Sequence, residues 1–267
     1  MTAQTRTEIA ALLARHNVSP SHRLGQHFLA DGNITRKIVG LAGVTPGDPI
    51  VEVGAGTGTL TVALAAAGAS VVAYEIDTGL RPLLEEVTAG MDVKLRMADA
   101  LTADFARELD DRPWKMVANL PYNVGTPMLL DALRNAVQIK RFVIMVQREV
   151  AERLVADPGG KEYGLPSVVA GIHARRTIAF RVPPQVFYPA PSVESAVVVL
   201  DRVAAPEAAE RAIEIASNGF QQRRKMLRRS LSGVLDDPVA DLERAGIDPT
   251  ARAEDLTPAD YVRLAAT

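Results

Sequence analysis

The sequence predicts an α/β fold, a doubly wound sheet followed by a small all-α C-terminal domain. Three observations predict it. Ile50-Val51-Glu52-Val53 is a short apolar strand that runs into Gly54-Ala55-Gly56-Thr57-Gly58, and Thr59 to Ala67 then reads as a small apolar helix closed by Gly68. Strand, glycine loop and helix form the opening unit of a doubly wound fold. A second apolar strand, Ser70 to Ile76, carries Glu75 near its end, 17 residues after Gly58. From about Asp201 the composition shifts to Ala, Glu and Arg with helical periodicity. A boundary near residues 204–206 therefore divides a sheet domain, 1–204, from a helical domain, 205–267.

Taken in order, residues 7–16 carry Ile9, Leu12 and Leu13 at helical spacing, and Pro20 ends that segment. Arg23-Leu24-Gly25-Gln26-His27-Phe28-Leu29 reads either as a loop leading into a helix at 34–42 or as a segment lying over a ligand. The glycine loop is spaced G-x-G-x-G, not G-x-G-x-x-G as in dehydrogenases. Its glycines allow a sharp turn and the close approach of a ligand. A carboxylate at the tip of the second strand can bind a ribose diol, so Glu75 with this loop points to a nucleoside-containing cofactor. A third strand, Val93 to Met97, leads to Asp99. That carboxylate can accept from an adenine amino group or cap the next helix.

The fourth strand, Lys115-Met116-Val117-Ala118, delivers Asn119-Leu120-Pro121-Tyr122. These four suit a pocket for a planar base with an amino group. The Asn119 side-chain oxygen can accept from an exocyclic N–H. The residue before a proline is held extended, which fixes the direction of the Leu120 carbonyl. Tyr122 offers a stacking face. The plain alternative is a strand that ends in a turn, which Asn and Pro both favour. Ligands of open α/β sheets bind at the carboxyl ends of the strands, so Glu75, Asp99 and Asn119 are expected to converge on one crevice.

Further on, residues 127–136 read as a helix, 141–146 as a buried fifth strand, 147–155 as a polar helix and 157–161 as a turn. Strands are expected near 176–182 and 195–200. Between them, Val182 to Pro191 holds four prolines. This stiff loop either presents Phe187 and Tyr188 for stacking on a base or folds its aromatics inward. Arg223, Arg224, Lys225, Arg228 and Arg229 put five cations into seven residues with no acid among them. A helix carrying them is either a solvated face or a phosphate-binding surface. Two short helices are expected around residues 246–249.

The chain has 48% hydrophobic and 23% charged residues, ordinary for a globular protein. It has no cysteine, which excludes disulfides and thiolate metal sites and fits a reducing compartment. No run is apolar enough to span a bilayer, and the N-terminus lacks a signal-peptide core, so a cytoplasmic location without membrane attachment is expected. The four histidines show no metal-ligand spacing, and no metal is expected. The net charge of −2 speaks mildly against a nucleic-acid partner, but the distribution of charge matters more than its sum.

The segments GQHFL, EVGAGTGTLT, YEID, ADAL, NLPY, FYPAPSVESAV and QQRRKMLRRSL occur in the order found in the rRNA adenine N6-dimethyltransferases. The chain resembles that family from about Leu12 to Arg263, most closely its small-subunit (KsgA) branch. The resemblance implies a Rossmann-like class I methyltransferase sheet of seven strands, the last antiparallel, with S-adenosylmethionine as cofactor. It implies dimethylation of N6 on two adjacent adenosines in a hairpin loop near the 3′ end of 16S rRNA in the 30S subunit, by a monomer. The cofactor contacts it implies fall on His27, Leu29, Gly54, Gly56, Glu75, Asp99 and Asn119. Asn119, Leu120, Pro121, Tyr122 and Phe187 would hold the target base, and Arg223 to Arg229 would bind rRNA phosphates. The sequence departs from the family at His27, where Asn is usual, and at Ala55, where Pro is common. Two other readings stand beside it: a related Erm-like enzyme acting on 23S rRNA, and a non-catalytic RNA-binding assembly protein.

Overall fold

A computed structural model describes residues 4–121 and 125–267. Nine strands are present among them: β1 (Phe28–Leu29), β2 (Pro49–Val53), β3 (Ser70–Glu75), β4 (Val93–Met97), β5 (Trp114–Asn119), β6 (Ile139–Gln147), β7 (Ala174–Val182), β8 (Phe187–Tyr188) and β9 (Ser195–Arg202). The helices are α1 (Arg6–Arg15), α2 (Gly32–Ala42), α3 (Thr59–Ala66), α4 (Arg81–Val87), α5 (Phe105–Glu108), α6 (Gly125–Asn135), α7 (Arg148–Val155), α8 (Leu165–His173), α9 (Ala209–Gln221), α10 (Leu227–Ser230), α11 (Pro238–Arg244) and α12 (Pro258–Ala265).

Seven strands form one sheet in the order β4-β3-β2-β5-β6-β9-β7. The pairs β2–β3, β3–β4, β2–β5 and β5–β6 are parallel, and β9, the last strand in the chain, is antiparallel to β6. This is the expected mixed sheet. The order runs outward from β2 to β4 and then reverses through β5, so the switch point lies between β2 and β5, where such folds bind ligands. β2 is buried along its whole length and β6 from Phe142 to Val146, the continuous apolar pattern of strands covered on both faces. β1 and β8 form a separate antiparallel pair, Phe28 opposite Tyr188 and Leu29 opposite Phe187.

The chain divides into two compact units, Met1–Ala151 with Thr177–Asp201, and Glu152–Arg176 with Arg202–Thr267. The single boundary expected near 204 leaves out the middle segment, which groups with the C-terminal residues. In the second unit α8 packs against α9 and α12. Pro258 approaches within 2.7 Å of where a side chain on Gly171 would begin. Tyr163 donates to the Leu256 carbonyl at 2.7 Å, and its ring meets Phe220 at 5.9 Å. Helix α8 was not foreseen. No helix among the described residues is long and apolar enough to cross a membrane.

Candidate active site

The glycine loop leaves β2 at the switch point. Gly54, Gly56 and Gly58 have φ of +77°, +57° and +80°, a region that glycine enters without steric cost. Gly54 N and Ala55 N both donate to the Tyr74 carbonyl, at 2.9 and 3.1 Å, which ties the loop to β3. A side chain at Gly56 would begin 2.9 Å from the Phe28 ring, and one at Gly54 would begin 3.3 Å from the Asn119 carbonyl. The absence of side chains here thus keeps the ends of β2 and β5 in contact and a groove open beside them.

Glu75 sits at the tip of β3 with one oxygen accepting from Gly56 N at 2.8 Å and the other from Asp77 N at 2.9 Å. Burial pushes its carboxyl up, against the pull of those two N–H groups. Glu52, on β2, is fully buried. Burial raises it to about 8, the nearby Glu75 charge adds to the rise, and the neighbouring Thr61 hydroxyl opposes it. Glu52 Oε2 has no hydrogen-bond partner among the described residues.

At the tip of β5, Asn119 Nδ2 donates to the His27 carbonyl at 3.1 Å. A carbonyl only accepts, so the amide nitrogen faces it and Oδ1 is left as an acceptor. Leu120 N donates to the Met145 carbonyl at 3.0 Å, which continues the β5–β6 ladder one residue past the strand. The Leu120 side chain is buried and lies 2.8 Å from where a side chain on Gly125 would begin. Gly125 N donates to the Pro121 carbonyl at 3.0 Å, so α6 starts directly against the motif. Tyr122 lies outside the described residues.

One pocket is lined by Gly54, Gly56, Glu75, Asp99, Asn119, Leu120, Pro121 and His27, so the expected convergence of the strand tips is present. Asp99 Oδ1 accepts from Leu101 N at 2.9 Å in a local turn; the helix-capping alternative is not the one found, because α5 is capped by Asp104, and the other carboxylate oxygen of Asp99 remains as an acceptor. Ile76 and Leu101, 46% and 45% exposed, line the same pocket. Sequence reasoning missed both. Their signal was an apolar residue one or two positions after an acidic residue at the carboxyl end of a strand. Glycine loop, acidic strand tips and apolar walls fit a nucleoside cofactor carrying positive charge.

Two expected contacts are corrected. Leu29 does not line the pocket: it is 4% exposed and its side chain belongs to the hydrophobic core. Phe187 is completely buried in that same core, opposite Leu29 in the β1–β8 pair. It has no free face for a base, so the inward-folding alternative for this loop is the one found. His27 lines the pocket, but its ring Nδ1 donates to the Pro189 carbonyl at 2.8 Å.

The basic run is not a helix across 223–229. It is a turn after α9, followed by the single-turn α10. Arg223 is tied to Glu254 at 2.6 Å and donates to the Lys161 carbonyl at 3.2 Å. Arg224, Lys225, Arg228 and Arg229 are exposed.

Among solved structures, the 23S rRNA methyltransferase ErmE is similar to this chain at 28% identity and a TM-score of 0.70, covering 90% of this chain and 98% of that one. A dimethyladenosine transferase from Plasmodium falciparum shares the fold at a TM-score of 0.76 and 23% identity, covering 89% and 96%. The fold is thus that of a Rossmann-like rRNA methyltransferase. The family model described as ribosomal RNA adenine dimethylase matches residues 18–267, and the chain belongs to that family of enzymes. Relatives named ribosomal RNA small subunit methyltransferase A include those of Leifsonia xyli, 44% identical over 97% of this chain and 96% of the relative, and Phenylobacterium zucineum, 44% identical over 99% and 94%.

Proposed function

We propose that this enzyme uses S-adenosylmethionine to dimethylate N6 of two adjacent adenosines in a hairpin loop near the 3′ end of 16S rRNA, in small-subunit biogenesis in the cytoplasm. The observation that carries the chemistry is the Asn119 amide, whose nitrogen is occupied by His27 and whose oxygen is left to accept at the pocket. The choice of small-subunit rRNA is supported by the names of relatives at 44% identity, against 28% for ErmE.

S-adenosylmethionine, when bound, supplies a sulfonium methyl group as the electrophile. Glu75 would hold the ribose diol with the lone pairs left after its two backbone hydrogen bonds. Asp99 would accept from the cofactor's adenine amino group, between Ile76 and Leu101. The lone pair on the target adenine N6 is delocalised into the ring and is a poor nucleophile. Asn119 Oδ1 and the Leu120 carbonyl accept the two N6–H bonds and favour a pyramidal nitrogen whose lone pair is free to attack. This is catalysis by orientation, and it asks for no side-chain base. The target adenine must leave its stack. Tyr122 is proposed to stack on it, an interaction worth about 1–3 kcal/mol. Arg224, Lys225, Arg228 and Arg229 are proposed to contact rRNA phosphates, with Arg223 serving the fold.

The test is methyl transfer from labelled S-adenosylmethionine to unmethylated 30S and 50S subunits, with Asn119→Ala as control. Label in small-subunit rRNA as N6,N6-dimethyladenosine, formed far more slowly but still measurably in single turnover by the variant, is expected. Label in the large subunit would transfer the protein to the Erm-like reading. Cofactor binding without transfer to either subunit would favour the assembly-protein reading.

A further inference from the structure

An amide can do what the mechanism asks of Asn119 in only one of two orientations. Half a turn about its last bond exchanges oxygen and NH₂ with almost no change in shape, and presents donors where the adenine amino group needs an acceptor. Asn119 cannot choose between the two by itself. Its neighbour at Nδ2, the His27 carbonyl, makes the choice, at 3.1 Å.

That carbonyl is held on both sides along the chain. On one side, Gln26 Nε2 donates to Asp77 Oδ2 at 2.8 Å, and Gln26 Oε1 accepts from Ser21 N at 2.7 Å. On the other, Phe28 and Leu29 pair with Tyr188 and Phe187, and Ala30 N donates to the Val186 carbonyl at 2.7 Å. At residue 27 itself the tether is the side chain, whose Nδ1 donates to the Pro189 carbonyl at 2.8 Å. Pro189 follows Tyr188 directly, and Phe187 is locked in the core. The imidazole therefore connects the wall segment to a fixed frame at the residue whose carbonyl holds the Asn119 amide.

We propose that His27 is a positioning residue: its ring fixes its own carbonyl, and that carbonyl fixes the Asn119 amide with Oδ1 toward the target N6. This rests on the reading of Asn119 as the N6–H acceptor. It gives the His27 side chain a role other than the cofactor contact implied by the family resemblance.

The test is a double-mutant cycle of His27→Phe with Asn119→Ala, read as single-turnover methylation of 30S subunits, with S-adenosylmethionine affinity measured by calorimetry on each protein. A residue acting through Asn119 has its effect only when Asn119 is present. His27→Phe is expected to slow transfer at least tenfold in the wild-type background and less than twofold in the Asn119→Ala background, and to change cofactor affinity less than threefold relative to its parent in either background. His27→Asn, whose amide keeps a donor, is expected to regain most of the rate, and it replaces the Phe variant in the cycle should that one not fold. Equal slowing in both backgrounds would overturn the proposal. So would a loss of cofactor affinity in step with rate, which would make the ring a cofactor contact. A wild-type enzyme that transfers no methyl group would instead remove the reading of Asn119, and this inference with it.

Discussion

A carboxyl buried as Glu52 is, with Oε2 unpartnered, is held most cheaply in its neutral form. Its value of about 8 in the folded protein lies above the ordinary 4.5, so between those values the folded state keeps a proton that the unfolded state has lost. Stability contributed by Glu52 therefore falls as pH rises through this window. Glu52→Gln cannot ionise in either state. Urea unfolding at pH 5 and pH 8 is expected to show a smaller loss of stability with pH for the variant than for the wild type, and equal losses would refute the assignment. Gly56 gives a second prediction at this scale. With φ of +57° and the Phe28 ring 2.9 Å from a new Cβ, Gly56→Ala is strained by backbone and neighbour together. Such strain costs about 1–3 kcal/mol. Calorimetry is expected to show cofactor affinity reduced at least tenfold, because relief of the clash moves Phe28 on the pocket wall. Residues of this kind were legible because their type and place had few other uses: glycines after a strand, carboxylates at strand tips. Leu29 and Phe187 misled because a motif fixes which residue stands at a position but not which way its side chain turns, and large apolar side chains turn inward when a core is available.

At the scale of elements, the basic segment shows tertiary pairing overriding helix propensity. Arg, Lys, Met and Leu all favour helix, yet α9 stops at Gln221. Met226 instead bridges to Arg252, and Leu227 N donates to the Ala251 carbonyl at 2.8 Å. The backbone is drawn across to residues 249–252, and the five cations separate into two kinds. Arg223→Ala removes the Glu254 pair. The pair is partly solvated, so the loss is expected to be at most about 1 kcal/mol, with the salt dependence of rRNA binding unchanged. Lys225→Ala and Arg229→Ala are expected to leave unfolding unchanged and to lower the slope of log affinity against log salt by about one each. A filter-binding series from low to moderate salt decides this, and equal slopes for all three variants would sink the division. The sheet strands were legible to within about two residues at each end: β2, β3, β5, β6 and β9 are largely apolar runs, and β4 and β7 alternate between covered and exposed residues. The β1–β8 pair was not, because strands of two residues carry no periodicity, and their pairing joins segments far apart in the chain.

At the scale of the molecule, the division into two units turns on α8. Val168, Val169 and Ile172 are buried, and so are Ser167 and His173, so this helix is covered nearly all round. That is why it has no amphipathic signature in the sequence. Its start is fixed within its own unit: Gly164 N donates to Ser167 Oγ at 3.0 Å, and Ser167 Oγ donates to the Arg153 carbonyl at 2.6 Å. Arg176 donates to the carbonyls of Leu154, Ala156 and Ser167, tying α7 to α8. The partners that cover α8 are α9 and α12, both beyond residue 204. A fragment ending at 204, the boundary suggested by composition, keeps α8 and discards what buries it. Each apolar side chain so exposed forfeits about 1.5–3 kcal/mol. Hydrogen exchange is expected to find the amides of residues 167–173 among the well-protected ones in the full chain. In the fragment they should exchange within the dead time, while those of β2 and β5 stay slow. If α8 remains protected in the fragment, the segment 152–176 belongs with the sheet after all.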